Sequence, residues 1–108
     1  MTQETATLYD DIRALLDEPP GTEQGAFLAR LEHTLTDGYA HALSLEAERV
    51  RLEKRMGELA GGQHAEPGDS AEELATVARR LSDAGAELTR LRRVLERLRA
   101  RARDLRGA

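Results

Sequence analysis

Residues 70–105 read SAEELATVARRLSDAGAELTRLRRVLERLRARARDL, and this stretch decides the fold. Leu74, Val77, Leu81, Ala84, Leu88, Leu91, Leu95, Leu98, Ala102 and Leu105 succeed one another at spacings of three and four without a slip. A pattern held that long keeps one apolar stripe on one side of a helix, as lengthwise packing against a partner helix requires. Ser70 and Glu73 add a start signal. The Ser70 hydroxyl can accept from the Glu73 amide while the Glu73 carboxylate returns to the Ser70 amide, a capping box. The spacing predicts a helix over residues 70–106.

The partner helix lies upstream, over residues 22–60. There Leu28, Leu31, Leu35, Gly38, Ala42, Leu45, Arg49, Leu52, Met56 and Leu59 hold the same spacing. Thr36, Asp37 and Gly38 are poor helix formers, yet the register passes through them unbroken. A continuous helix with Gly38 as a close-approach point is therefore expected. Residues 61–69, GGQHAEPGD, form the connection: glycines just after a helix and a proline beyond are stop signals. A connection this short returns the second helix antiparallel to the first. Residues 1–18 form a short amphipathic helix with Leu8, Ile12, Leu15 and Leu16 on one face, ended by the Pro-Pro-Gly break at 19–21. The expected fold is all-α: an antiparallel helical hairpin of coiled-coil type over 22–106, forming a single domain, with a short N-terminal helix.

The bulk composition agrees with long exposed helices. Of 108 residues 33% are charged, and one Phe, two Tyr and no Trp leave an aliphatic core. Without Cys there is neither a disulfide framework nor a thiolate metal site. The basic residues are Arg except for Lys54, the bias of a GC-rich genome such as an actinobacterium's. Residues 1–20 hold no apolar run suited to a signal peptide, and no stretch approaches a membrane span, so a soluble cytoplasmic protein is expected, with no membrane partner.

The helix over 22–60 is apolar beyond its seam. Tyr39, Leu43 and Val50 widen its apolar arc to roughly 160° at 100° per residue. Two covers are available: the N-terminal helix folding back, or a second copy of the chain. The expected state is a homodimer, whose two hairpins would form a four-helix bundle. Tyr39, Leu43 and Val50 are then the expected interaction surface, for a second copy or for another protein. Arg49 interrupts the seam at the level of Asp83, and a polar seam contact between Arg49 and Asp83 is expected.

Charge is distributed unevenly. Residues 1–37 carry eight acids and two Arg, a net of −6, whereas residues 90–108 carry eight Arg against Glu96 and Asp104, a net of +6. Antiparallel packing sets these ends side by side, with Glu32 near Arg99 and Asp37 near Arg93, and compensation within the fold is the first reading of the Arg-rich end. An acidic protein partner is the second. Nucleic-acid binding comes last, since the cluster lacks interleaved aromatics and any DNA-binding motif.

His33, Asp37 and His41 recur every four residues, a spacing at which helical side chains can share a metal ion. They fall off the seam, where water competes, and a solvated stripe is expected. His64 is a loop residue. No nucleophile–base pair and no phosphate-binding glycine loop occurs, so the chain is read as non-catalytic, with no cofactor and no metal.

One further pattern lies on the second helix. Glu72, Thr76, Arg79, Asp83 and Glu87 have the spacing E-x3-T-x2-R-x3-D-x3-E. This is similar to the E-x3-S-x2-R-x3-Q-x3-D signature of the actinobacterial helical-hairpin anti-sigma factors that bind cyclic di-GMP. Glu72 and Arg79 match outright. Thr76 and Asp83 replace Ser and Gln, and Glu87 lengthens the final Asp. The resemblance covers some sixteen residues, and what it implies is an alternative function: a cyclic-dinucleotide-responsive regulator that sequesters a transcription factor. The leading reading is a small protein–protein interaction or regulatory module. The third reading is nucleic-acid binding through Arg90, Arg92, Arg93, Arg97, Arg99, Arg101, Arg103 and Arg106.

Overall fold

The computed structural model describes the backbone of residues 3–19, 23–61 and 67–107 and the side chains of 4–19, 23–61 and 71–107. Pro20, Gly21, His64 and the Ser70 side chain lie outside the described set. Within it the chain is all-α, with three helices: α1 (Gln3–Asp17), α2 (Gln24–Ala60) and α3 (Pro67–Gly107). No described helix is long and apolar enough to cross a membrane.

The helix ends follow local chemistry. Glu18 donates its amide to the Ala14 carbonyl at 3.0 Å, and Pro19, which has no amide hydrogen, ends α1 there. Gly61 closes α2 with a 3.0 Å bond to the Gly57 carbonyl. The start of α3 corrects the expected boundary. It begins at Pro67 rather than at Ser70, because proline's fixed φ suits the first helical position and its missing donor is not needed there. Ser70 therefore lies in the first turn and not at the cap.

α2 runs without interruption through Thr36, Asp37 and Gly38. The Thr36 hydroxyl donates to the Glu32 carbonyl at 3.1 Å, which absorbs a group that would otherwise compete with the helix. Gly38 is buried, and a Cβ added there would overlap the Leu95 side chain. Gly38 is thus where α2 comes so close to the Leu95 side chain of α3 that a side chain fits only if Leu95 shifts.

The helices divide into two compact units, residues 1–42 with 90–108, and residues 43–89. α1 belongs to the first unit. It adds a third helix there only. That unit buries Ile12, Leu31, Leu91, Leu95 and Leu98 almost completely. Burying a side chain of this size stabilises by about 1.5–3 kcal/mol before chain entropy is charged against it. Gly38 meets Leu95 while Glu32 meets Arg106, so the α2 and α3 segments of this unit run in opposite directions.

The second unit has two helical segments and a thinner interior. Leu45, Leu59, Val77, Ala84 and Leu88 are buried. Leu52, Met56, Leu74 and Leu81, also at seam positions, are only half-buried. Two helices shield one stripe of each, and the edges of that stripe stay wet. Arg55 and Glu73 close the outer edge with a 2.6 Å ion pair.

Candidate functional site

In the first unit α1 lies along one flank of α2. Glu4, Thr7, Leu8 and Asp11 share a cleft of about 720 Å³ with Asp37 and His41. Asp11, Ala14 and Leu15 share a second, of about 470 Å³, with Ala29, Arg30, His33 and Thr34. Tyr39 is roughly 160° around the helix from His41 at 100° per residue. α1 therefore folds back, as one of the two expected covers, but onto the flank away from Tyr39. Tyr39 keeps 41% of its surface exposed, and in the second unit Leu43 and Val50 each keep 66%.

Arg49 corrects an expectation. Its guanidinium lies 3.8 Å from Glu53, one turn along its own helix, rather than crossing to Asp83, which is exposed. A residue four positions on is always within reach on a helix surface. With 41% of the Arg49 side chain accessible, its head stays in water instead of spanning the seam. A polar contact that fixes the register between the helices is not made there.

Several arginines at the C-terminal end of α3 find partners within their own unit, although all of the cluster but Arg101 stay exposed. Arg90 stacks 4.3 Å above the Tyr9 ring, and Arg101 lies 5.2 Å from the Phe27 ring centre. Arg101 also donates to the Glu18 carbonyl at 2.6 Å, capping the end of α1. Arg106 pairs with Glu32 at 3.0 Å, and Arg99 and Arg103 flank Glu96 at 3.7 Å each. The expected pairs, Glu32 with Arg99 and Asp37 with Arg93, are not the ones formed. Arg106, one heptad further along, reaches Glu32, while Asp37 meets His33 at 3.5 Å.

His33 and Asp37 are both largely exposed. No group of three or more His, Asp or Glu among the described residues is placed to hold a metal ion. The five residues of the nucleotide-like signature lie in the second unit at regular helical intervals. Glu72, Arg79 and Asp83 are exposed, Thr76 and Glu87 half-buried. The Thr76 hydroxyl donates back to the Glu72 carbonyl at 3.1 Å. Three carboxylates to one guanidinium make this stripe negative, the wrong sign for phosphates.

Sequence reasoning missed the arginine clasp on α1. Two signals could have found it: Arg90, Arg97 and Arg101 recur at seven and four along one edge of the seam, and Tyr9 and Phe27 are two of only three aromatic residues. Phe27, rather than Leu28, is the buried residue at the start of α2, because the core there is widened toward α1. Compared with known proteins, the chain matches no family model, no curated protein and no solved structure.

Proposed function

We propose that the chain is a non-catalytic protein–protein interaction or regulatory module, an antiparallel helical hairpin that joins a second copy of itself in a four-helix bundle. The observation that carries this is the exposure of Leu43 and Val50, at 66% each, on a unit whose seam residues Leu52, Met56, Leu74 and Leu81 are only half-buried. One exposed leucine is ordinary. Apolar side chains one heptad apart beside an unsealed seam are what a further helix would cover. Tyr39, on the α2 flank that α1 leaves open, adds an aromatic of the kind enriched at contact centres.

Light scattering over a dilution series tests the reading. The chain should have dimer mass at tens of micromolar and dissociate on dilution. Leu43→Glu with Val50→Glu should weaken the dimer by roughly a hundredfold, since about 1.4 kcal/mol corresponds to each tenfold change. The helical circular dichroism of the monomer should be unchanged, because both side chains are already in water. A chain that stays monomeric at the highest soluble concentration would remove the bundle.

A further inference from the structure

α1 is seated by an apolar face and fastened at its edges by arginines. Three clefts run along it: the two shared with α2, and one of about 130 Å³ lined by Tyr9, Ile12, Leu16, Arg90, Val94 and Arg97. Between α2 and α3, by contrast, Leu31, Leu91, Leu95 and Leu98 are sealed. Leu8, Tyr9, Ile12 and Leu15 are buried as the apolar face of α1, and arginines fasten its edges. Arg90 covers Tyr9, Arg101 caps the Glu18 carbonyl, and Arg30 pairs with the Glu18 carboxylate at 3.0 Å. From Gln3 to Glu18 the chain has five acids against Arg13. The fit is also incomplete near the C-terminal end of α1, where the Nε of Arg101 is buried and meets no acceptor among the described residues. A buried donor left without an acceptor is costly, and an occupant that supplied one would be preferred.

We propose that the seat of α1 is a binding groove for an acidic amphipathic helix of a partner protein, and that α1 occupies it as a resident competitor. The groove has an apolar lining that includes Ala29 and Val94, and arginine walls from Arg30, Arg90 and Arg101. Its ligand therefore presents apolar residues at spacings of three and four, as Leu8, Ile12 and Leu15 do, with carboxylates beside them. A carboxylate near the C-terminal end of that helix would meet the unused Nε of Arg101. Because α1 is tethered, it competes at the high effective concentration of a linked segment. A free partner helix must be longer or better matched to displace it. This groove is distinct from the α2 flank proposed for self-association, and either can fail without the other.

The probe is a fluorescent peptide with the sequence of residues 3–18, read by anisotropy against the full chain. Ile12→Asp, which drives α1 out of the groove, should bind the peptide at least about tenfold more tightly than the unaltered chain does, where the resident helix blocks the seat. Ile12→Ala with Leu15→Ala is the milder release and should give the same order. A peptide with Asp10, Asp11, Asp17 and Glu18 changed to their amides should bind roughly tenfold more weakly, and salt should weaken the acidic peptide alone. The proposal is overturned if neither released chain binds the peptide, if the amide peptide binds equally well, or if the unaltered chain binds as tightly as the released ones. It is also overturned if peptide uptake breaks a dimer, since that would assign the seat to a second copy.

Discussion

Leu88→Asp is expected to abolish the cooperative thermal unfolding of the chain and most of its helical circular dichroism. Leu88 is 1% exposed, the most deeply buried of the large side chains in the two-helix unit. Replacing it deletes an apolar side chain and leaves an ionised carboxylate without a partner. The first loss, measured alone in Leu88→Ala, should cost about 2–5 kcal/mol. The second adds several kcal/mol more. Small domains are held by only about 5–15 kcal/mol in total, and a unit with half-buried seam residues sits at the low end. Chemical denaturation of Leu88→Ala beside thermal scans of Leu88→Asp separates the two contributions. A cooperative transition surviving in Leu88→Asp would show that Leu88 can turn its new side chain to water, and that the seam is looser than its burial suggests.

That seam was legible because its cause is local. Spacings of three and four put Leu74 through Leu105 on one face whatever else the chain does, and Leu88, Leu91, Leu95 and Leu98 are accordingly among the most buried residues. The continuity of α2 was legible for the same reason: Gly38 kept phase, and a turn would have lost it. Where the sequence reading failed, the deciding quantity was relational. Which flank of α2 receives α1 depends on edges such as Arg90 meeting Tyr9 and Arg101 meeting Glu18, and helical periodicity holds no information about edges in different segments. Ion pairs failed for a related reason. The register between the helices sets Glu32 beside Arg106 rather than Arg99. Arg49 settles on Glu53 because a neighbour on its own helix can be reached without leaving water.

The exposed residues Tyr39, Leu43 and Val50 illustrate the boundary between fold and function. Periodicity could mark them as surplus to a two-helix seam, and they are indeed accessible. The cover remains a matter of partners, which is why the tests proposed for the α2 flank and for the α1 seat read association and not stability.

Gly38→Leu should lower the melting temperature by roughly 10 °C, against the usual sign for replacing a helical glycine. Glycine inside a helix costs up to about 1 kcal/mol relative to alanine or leucine, so substitution ordinarily stabilises. At Gly57 and Gly85 a Cβ would meet nothing within 4 Å, and Gly57→Ala and Gly85→Ala should each raise stability by about 0.5–1 kcal/mol. At Gly38 the same atom would overlap Leu95, itself 1% exposed and with nowhere to retreat. Either Leu95 leaves its rotamer or α2 and α3 separate, and every sealed leucine nearby loses contact. Overpacking of this kind costs about 1–3 kcal/mol, and the extra methyl groups of leucine push the balance toward the upper value. Net of the propensity gain, a loss of roughly 2 kcal/mol corresponds to about 8–16 °C for a domain near 100 residues. Gly38→Ala should fall between, with propensity and overlap nearly cancelling. If Gly38→Leu melts at or above the temperature of the unaltered chain, the two helices are not in close approach at this level, and the role assigned to Gly38 would have to be given up.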